Sequence, residues 1–335
     1  MTRRLRALTG IKPTGTPHLG NLLGMIEPAV ALQETHDAYY FVADYHALTT
    51  GRDPAVLRRA SDEITATFLA LGLDPKRAVF FRQSDVPEVL ELAWLLGCVT
   101  GIGLLQRAHA YKAAVDAEAL GEFGVGTFYY PVLMAADIVL YDTDVVPVGR
   151  DQVQHVEMAQ DMAGHLNALY GDVLRRPEAV VGAEVAVVPG LDGRKMSKSY
   201  NNTIPIFAES AKAFEKLAKL VVTDSKGLDD PKDPDTCTVY QLYKLVASPA
   251  EAAEMADRLR GTGYGYGHAK VALGKALEAR LGPARERYKD WLARPDDLHD
   301  VLADGAARAR LVARDVIARA RDKVGLPRDK VGLPR

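Results

Sequence analysis

Short apolar runs typical of β-strands alternate with helical patterns through the first two hundred residues, and this alternation limits the fold more than any other feature of the sequence. We predict strands at Leu5–Leu8, Ala38–Ala43, Ala78–Phe81 and Asp144–Val148. We predict helices between them and after the last, at Leu22–Leu32, Pro54–Leu71, Pro87–Leu96 and Val153–Leu169. Such alternation favours a doubly wound α/β fold with a parallel sheet, in which ligands bind at the carboxyl ends of the strands.

Beyond about Ile206 the strand pattern fades and the sequence becomes helical. Five helical segments are predicted, at 207–221, 236–247, 249–260, 268–281 and 297–321. We interpret the change as a boundary between an α/β domain over 1–205 and a C-terminal helical domain, although a helical extension of one α/β protein fits the same pattern. The heptapeptide DKVGLPR occurs twice, at Asp322–Arg328 and Asp329–Arg335, and its Gly-Leu-Pro breaker predicts a disordered tail over 322–335.

Composition and charge exclude several classes of protein. The chain has 335 residues, of which 48% are hydrophobic and 26% charged, as in ordinary globular proteins. Its formal net charge of −2 gives no global basic field, so we expect no DNA partner, and any nucleic-acid contact needs a local basic patch. No run approaches the ~18–20 apolar residues of a membrane span, so we expect no membrane contact. Cys98 and Cys237 show no metal or disulfide spacing, which favours the reducing cytoplasm.

The segment GIKPTGTPHLGN, at Gly10–Asn21, connects the first predicted strand to the first helix. Its three glycines allow a ligand to approach the backbone closely, and the helix that starts near Gly20 presents free N–H groups and a positive dipole end. His18 can donate a hydrogen bond to a phosphate oxygen. Since the glycines match neither the dinucleotide fingerprint nor the P-loop, a phosphate-binding turn and an ordinary Gly/Pro turn both fit this segment alone.

A second polar segment, GRKMSKSY at Gly193–Tyr200, follows an apolar run and a turn. Lys195 and Lys198 place two positive charges on flexible stems, and Ser197 and Ser199 add hydroxyl donors. A solvated basic turn is the alternative. Two anion-binding candidates in one chain are stronger evidence than either one alone. We therefore predict that the two loops, although distant in the sequence, meet around a single triphosphate.

The stretches PTGTPHLGN and KMSKS resemble the HIGH and KMSKS signature motifs of class I aminoacyl-tRNA synthetases, and the second matches without a mismatch. The resemblance implies a Rossmann-like catalytic domain over 1–205 and an anticodon-side helical domain over 206–289. It also implies a C-terminal helix, 290–321, that packs back on the catalytic domain. Either tRNA contact or solvation is expected for the arginines on one face of that helix, Arg308, Arg310, Arg314, Arg319 and Arg321.

The resemblance also implies a reaction. The carboxylate of an amino acid attacks the α-phosphate of ATP, pyrophosphate leaves, and the acyl group then passes to the 3′-terminal ribose of tRNA. The protein supplies positioning and charge neutralisation. Mg²⁺ is expected to be bound mainly through the ATP phosphates, without a metal site of the protein's own. A homodimer is implied by the family alone.

The segment Tyr129–Met158 resembles the tryptophan-specific branch of the family. In that branch the acidic residue of the MAAD segment accepts the indole N–H, which assigns this role to Asp137. Indole is a large apolar plate with a single donor, so its pocket needs one acceptor and apolar walls. Tyr130 and Met134 lie at helical spacing around Asp137 and fit either such a wall or an ordinary core. An aspartate that caps a backbone turn is the alternative for Asp137.

The resemblance assigns the remaining site residues. The catalytic set is His18, Lys112, Lys195, Ser197 and Lys198. The tryptophan set is Leu8, His46, Tyr130, Met134, Asp137 and Gln152. The ATP set is Lys12, Pro13, Thr14, Gly20, Asn21, Gly149, Arg150, Asp151, Val188, Lys195, Met196, Ser197, Lys198 and Ser199. Asp151 also suits a helix N-cap, and His46 also suits a structural histidine.

Two residues depart from the family pattern. Lys12 stands where the family usually has Gln and adds a cation beside the nucleotide, and Leu8 stands where bacterial relatives often have an aromatic residue. Three other functions remain open: a tyrosine-specific sister synthetase, a small nucleotidyltransferase with an HxGH-type motif, and a synthetase-like protein that binds tRNA without catalysis. The MAAD segment disfavours the first, the PVGRDQ segment and the helical domain disfavour the second, and the intact signature motifs disfavour the third.

Overall fold

A five-stranded parallel sheet forms the centre of the computed structural model, which describes residues 3–13, 15–117, 124–181 and 187–327. The strands are β1 (Arg6–Ile11), β2 (Asp37–Val42), β3 (Val79–Arg82), β4 (Val145–Val148) and β5 (Glu178–Val181), in the order β3-β2-β1-β4-β5. The predicted doubly wound sheet is confirmed. The edge strand β5 was missed because its short EAVV run is mostly exposed and shows no buried pattern.

Helices fill the connections and form the C-terminal part of the chain. In the described ranges they are α1 (Leu19–Asn21), α2 (Glu27–Ala31), α3 (Asp44–Ala47), α4 (Pro54–Ala70), α5 (Glu88–Val99), α6 (Ile102–Leu105), α7 (His109–Asp116), α8 (Val125–Val139), α9 (Val153–Tyr170), α10 (Ala211–Leu220), α11 (Thr238–Val246), α12 (Pro249–Arg260), α13 (Tyr266–Leu292) and α14 (Pro295–Val324). A π-helical stretch over Leu22–Ile26 joins α1 to α2, so the helix predicted to begin at Leu22 begins at Leu19. Over the part of the chain that the structure describes, no helix is both long and apolar enough to cross a membrane.

The two faces of the sheet bury separate hydrophobic cores. Side chains alternate along each strand, so Tyr40 and Phe80 face one core while Phe41 and Phe81 face the other. β1 lies in the middle, where the chain leaves toward β2 on one side and returns as β4 on the other. The carboxyl ends of β1 and β4 therefore form the crevice in which ligands of such sheets bind.

Helix α13 continues to Leu292, past its predicted end at residue 281. Gly282 and Pro283 follow that position, and proline in a helix interior costs about 3 kcal/mol. Pro283 is exposed, whereas Leu281 and Ala284 beside it are buried in packed surfaces. Burial of the apolar face offsets the cost of the proline, and the helix continues through it.

The last helix, α14, lies across β3 and α5. Its inner face carries small residues, including Ala306, Ala309 and Ala313, which are at most 5% exposed. Gly305 is packed so closely on β3 that an added Cβ would lie 1.8 Å from the carbonyl oxygen of Phe80. Glycine is therefore required there for the helix to reach the sheet.

The domain limits stated above stay a prediction.

Replacing Gly305 with alanine should destabilise the protein by about 1–3 kcal/mol, the usual cost of forcing an extra carbon into a packed core. The added methyl meets backbone atoms of Phe80, so α14 must shift away from β3. Thermal unfolding followed by circular dichroism measures the loss. Gly267→Ala is the matched control, since nothing lies within 4 Å of that helical position, and it should leave the melting temperature unchanged or raise it. Equal melting temperatures for G305A and the wild type would contradict the close packing.

The arginines of α14 bind the protein itself. Hydrogen bonds and ion pairs join Arg308 to Pro75 and Ala78, Arg310 and Arg314 to Glu88, Arg319 to Asp142, and Arg321 to Glu91. This differs from both sequence-based alternatives, tRNA contact and a solvated face. Their guanidinium groups fasten α14 to α5 and to the loops at the edges of the sheet.

Helix α14 continues through Val324 and ends at Gly325, whose φ of 83° gives the left-handed conformation common at helix ends. Asp322–Val324, the first residues of the predicted disordered tail, are therefore helical. The second heptapeptide and the last residue of the first, 328–335, lie outside the described residues.

Candidate active site

A cleft of about 560 Å³ opens at the carboxyl ends of β1 and β4. Helices α8 and α9 contribute one side, and the segment that follows β2 contributes the other. All the residues predicted to contact tryptophan line it: Leu8, His46, Tyr130, Met134, Asp137 and Gln152. Lys12 and Gly149 of the predicted ATP set line the same cleft. The fold thus gathers into one cavity residues that lie far apart in the sequence.

Asp137 lies on α8 and is only 1% exposed. Its Oδ1 and Oδ2 accept hydrogen bonds from Gln83 Nε2 at 2.9 and 2.8 Å, and Oδ2 also bonds His46 Nε2 at 2.9 Å. Burial raises the pKa of the Asp137 carboxyl, and the bonds from His46 and Gln83 act in the opposite direction. Since a carboxylate offers about four acceptor positions, Oδ1 retains room for another donor. These partners are side chains, unlike those of an aspartate that caps a turn.

Gln83, which donates hydrogen bonds to the Asp137 carboxylate, was not predicted from the sequence. It follows β3 directly and is 1% exposed. Its Oε1 accepts a hydrogen bond from Tyr45 N at 3.1 Å, so the same side chain ties the segment after β2 to α8. The available signal was its position, because polar residues just past a buried strand of a parallel sheet lie at the ligand-binding edge.

A chain of polar and aromatic contacts runs from Asp137 to the mouth of the cleft. The His46 ring, bonded to Asp137, lies edge-on to Tyr130 with centroids 6.5 Å apart. Tyr130 Oη lies 3.3 Å from His155 Nε2, and His155 Nδ1 lies 2.6 Å from Gln152 Oε1. His155 was also missed, although it lies one helical turn beyond Gln152. These contacts hold in place the side chains that a ligand in the cleft would touch.

The aromatic wall of the cleft comes from Phe41 rather than from residue 8. Leu8 is 1% exposed and lines the cleft from β1. The Phe41 ring of β2 lies against the backbone of Gly10, where an added Cβ would be 2.4 Å from the end of the ring. Gly10 is therefore needed to admit this ring, and Phe41 supplies a flat apolar surface close to Leu8.

The two signature loops lie side by side in the folded chain. Leu19 N donates to Ile204 O at 2.8 Å, which joins the start of α1 to the segment after KMSKS. The Lys198 ammonium lies over Gly15, since a Cβ added to that glycine would be 3.5 Å from Lys198 Nζ. The early Gly-rich loop and the late basic loop therefore form one surface with a cation above it.

His18 caps the first helix with its ring. Its Nδ1 accepts from Asn21 N at 3.3 Å, while Asn21 Oδ1 accepts from His18 N at 3.1 Å. Burial lowers the pKa of His18, and the charge of Lys198 lowers it further. The neutral ring with Nδ1 as acceptor carries its proton on Nε2, so it can donate to an anion without adding a second fixed charge.

Asn202 holds the KMSKS loop from beneath. It is 2% exposed, and its amide nitrogen donates to Asp192 Oδ1 at 2.7 Å and to Lys195 O at 3.1 Å. Its Oδ1 accepts from Ser197 N at 2.8 Å. A Cβ at Gly190 would lie 2.3 Å from the Asn202 side chain, so the turn requires glycine. These hydrogen bonds hold the KMSKS loop in a defined conformation, so it is not a solvated basic turn.

Other predicted residues lie around the two loops or away from them. Lys195 and Ser199 are exposed on the KMSKS loop, whereas the side chains of Val188 and Met196 are buried in a hydrophobic core. Lys112 is exposed on α7, a helix with no buried residue, although Ala110 of α7 lines the cleft. Of the other predicted ATP contacts, Pro13 is buried, Gly20 and Asn21 are partly buried, and Arg150 is exposed. Thr14 and the side chain of Asp151 lie outside the described residues.

A doubly wound parallel sheet, with a Gly-rich loop and helix start meeting a KMSKS loop beside its central crevice, defines a class I aminoacyl-tRNA synthetase. The chain belongs to the family of class I tRNA synthetases for tryptophan and tyrosine, described as "tRNA synthetases class I (W and Y)", whose model matches residues 1–282.

Similar proteins are tryptophan–tRNA ligases. The chain is 51% identical over 324 residues to the tryptophan–tRNA ligase of Pseudomonas aeruginosa. That match covers 93% of this chain and 72% of that protein. It is 48% identical over 317 residues to the ligase of Rhodopirellula baltica, with 94% and 98% of the two chains covered. The crystal structure of tryptophanyl-tRNA synthetase from Campylobacter jejuni complexed with ADP and tryptophan matches with a TM-score of 0.90 at 45% identity, over 96% of this chain and 100% of that chain.

Proposed function

We propose that the cleft activates L-tryptophan with ATP and that the tryptophanyl group then passes to the 3′-terminal ribose of tRNA(Trp). The chain is a tryptophan–tRNA ligase, because its relatives of that activity share about half of its residues over most of its length. The tyrosine-specific and the catalytically silent alternatives are not favoured. The observation that carries the assignment of the site is the buried Asp137 carboxylate in a cleft that also contains Lys12 of the first signature loop.

The lining of the cleft supports a placement of tryptophan with its indole ring toward Asp137. The indole N–H would donate to Asp137 Oδ1, which the structure leaves open to a further donor. Met134 and Phe41 would cover the ring, and the ordered side chains of Tyr130 and Gln152 would meet the polar end of the amino acid. Because Asp137 is fixed by His46 and Gln83, its acceptor is in place before the ligand arrives.

ATP would lie where the two signature loops meet. His18, Gly20 and Asn21 would hold phosphates at the start of α1, and Lys198 with Lys195 would neutralise the pyrophosphate as it leaves. A carboxylate oxygen of tryptophan attacks the α-phosphorus, a new P–O bond forms, and the bond to pyrophosphate breaks with its electron pair. The protein contributes position and charge to this step and forms no covalent bond.

Mg²⁺ would enter this site with the nucleotide. Among the described residues, no group of three or more His, Cys, Asp or Glu side chains could hold a metal ion. The donors around the loops are hydroxyls, amides and cations, which suit phosphate oxygens. Mg²⁺ is commonly bound through substrate phosphates and water, and there it would neutralise charge on the triphosphate.

We extend the proposal to a homodimer. The outer face of α5 and the neighbouring segments expose large apolar side chains: Leu90 at 46%, Trp94 at 70%, Ile102 at 66% and Val125 at 83%. Large exposed apolar side chains often belong to contact surfaces. This face lies on the catalytic part of the chain and would serve a second copy. A cytoplasmic location, where aminoacylated tRNA is used, stays a prediction.

Amino-acid-dependent exchange of pyrophosphate into ATP tests the function. Tryptophan should drive exchange, and tyrosine should be at least about 100-fold less effective in kcat/KM, since a phenol lacks the shape and the N–H donor that the cleft accommodates. Both amino acids are to be assayed with the same enzyme preparation. Equal exchange with tyrosine would refute the tryptophan assignment, and no exchange with either amino acid would favour a protein that only binds tRNA.

A further inference from the structure

Asp44 is a second buried carboxylate close to the tryptophan cleft. It begins α3, shortly after β2, and it is 9% exposed. Neither Asp44 nor Ser84, the serine that it binds, lines the cleft. Because a charged carboxylate is costly to bury, its place calls for a reason that the placement of tryptophan described above does not supply.

Hydrogen bonds to the Asp44 carboxylate join α3 to the turn that follows β3. Its Oδ1 accepts from Tyr45 N at 3.0 Å and from Ser84 N at 3.0 Å, and its Oδ2 accepts from Ser84 Oγ at 2.5 Å. The last distance lies at the short end for a hydroxyl that donates to a carboxylate. Ser84 belongs to the turn Gln83–Asp85, so one carboxylate binds two segments that are distant in the sequence.

The two segments joined by Asp44 carry the two side-chain partners of Asp137. His46 lies on α3 with Asp44, and Gln83 directly precedes Ser84. His46 Nε2 and Gln83 Nε2 both bind the Asp137 carboxylate, the acceptor proposed for the indole N–H. The relative position of α3 and the turn therefore determines where both partners meet that carboxylate.

The backbone N–H of Tyr45 sets the orientation of the Gln83 amide. It is shared between Asp44 Oδ1 at 3.0 Å and Gln83 Oε1 at 3.1 Å. With Oε1 bound to that N–H, Gln83 Nε2 is left to donate to Asp137, whereas a reversed amide would place two donors against each other. Asp44 therefore fixes the direction of Gln83 through the backbone of Tyr45 and of Ser84.

We propose that Asp44 and Ser84 are positioning residues for the recognition of tryptophan. Their hydrogen bonds hold Gln83 and His46 in the places from which these side chains orient the Asp137 carboxylate toward the indole N–H. This inference rests on the proposed function and assigns neither residue a contact with substrate. A polar group recognises a ligand sharply only when the residues behind it are themselves fixed.

A purely electrostatic role for Asp44 would have the opposite sign. Burial raises the pKa of the Asp137 carboxyl, the bonds from His46 and Gln83 lower that pKa, and the negative charge of Asp44 raises it. Loss of this charge alone would favour the ionised form of Asp137, so tryptophan would bind at least as tightly as before. Weaker binding after removal of the Asp44 side chain is therefore expected only if the carboxylate acts through its hydrogen bonds.

Asp44→Ala and Ser84→Ala test the proposal, and Asp44→Asn is the conservative variant. In pyrophosphate exchange, the KM for tryptophan should rise about 20-fold in D44A and about 5-fold in S84A, as expected for the loss of bonds to a charged group. The KM for ATP and the kcat at saturating tryptophan should stay within about threefold of the wild type. Asparagine can accept from the same two N–H groups and donate to Ser84 Oγ, so the KM of D44N for tryptophan should stay within about threefold of the wild type.

Ser61→Ala is the matched control for S84A. Ser61 is a buried serine of α4 that does not line the cleft, and its hydroxyl donates to Leu57 O at 2.9 Å within the same helix. S61A should match the wild type in every kinetic constant. D44A and S84A should also discriminate less than the wild type against an alanine that carries benzothiophene in place of indole, since the acceptor for the N–H is no longer aligned.

The outcomes separate failure of this inference from failure of the proposed function. An unchanged or lower KM for tryptophan in D44A and S84A would overturn the inference. So would parallel rises in the KM for both substrates, or undiminished discrimination against the benzothiophene analogue, because either would show a general disturbance of the cleft. If D44A does not fold, S84A decides the question alone, since it lacks only one hydroxyl. Absence of tryptophan-dependent exchange in the wild type would instead refute the proposed function itself.

Discussion

Replacing Lys198 with alanine should slow the formation of tryptophanyl-adenylate about 100- to 1,000-fold, the usual cost of removing one group that stabilises charge in a transition state. The ammonium lies over Gly15 and close enough to His18 to lower the pKa of that ring, so in the proposed site it faces the leaving pyrophosphate. It does not line the tryptophan cleft. The affinity for tryptophan should therefore change by no more than about threefold. Stopped-flow or quench measurements of adenylate formation give the rate, and calorimetric titration gives the affinity.

Lys216→Ala is the control for that variant, because Lys216 is exposed on α10 and belongs to neither signature loop. It should leave both quantities unchanged. Lys195→Ala should act in the same direction as Lys198→Ala, with adenylate formation affected far more than tryptophan binding. Equal losses of rate and of tryptophan affinity would contradict a role specific to the transition state.

Replacing Asp137 with alanine should raise the KM for tryptophan about 10- to 100-fold, since a hydrogen bond to a charged group is worth about 1.5–3 kcal/mol. The substitution removes the only buried carboxylate that lines the described cleft and leaves His46 and Gln83 without their partner. Pyrophosphate exchange at varied tryptophan concentration measures the effect. The kcat at saturating tryptophan should fall less than kcat/KM, because the adenylate chemistry takes place at the signature loops.

An analogue without the N–H distinguishes recognition of indole from a general disturbance of the cleft. The wild type should discriminate strongly against an alanine that carries benzothiophene in place of indole, because that ring keeps the shape and lacks the donor. D137A should discriminate much less between tryptophan and the analogue, since the variant has no carboxylate to accept the indole N–H. Unchanged discrimination in the variant would show that Asp137 does not accept the indole N–H and that its role is structural.

The elements and residues that the sequence could predict are those that short-range patterns encode. Strand–helix alternation gave the doubly wound sheet, and the Asp53-Pro54 start of α4 could be predicted because its cap and first turn are local. The π-helical stretch after α1 could not, because nothing local distinguishes it from a regular helix. The continuation of α13 through Pro283 could not either, since it depends on apolar packing against distant helices.

The candidate site divides in the same way. Asp137 and Lys198 lie in motifs that the sequence displays, whereas Gln83, His155 and Phe41 join the site only through contacts that the fold creates. Gln83 is 54 positions from Asp137 along the chain, and no spacing rule connects them. A buried carboxylate predicts that some partner exists, but only the tertiary structure identifies it.

The packing of α14 on β3 sets an order of events during synthesis. β3 is an outer strand of the sheet, and residues 295–324 cover it only after they have been made. While the ribosome is still adding the helices before α14, β3 exposes the backbone of Phe80, and α5 exposes the Glu88 and Glu91 carboxylates that α14 later binds. A polypeptide halted before residue 295 would keep every group that this site uses, yet it would carry an uncovered apolar flank that invites aggregation and proteolysis.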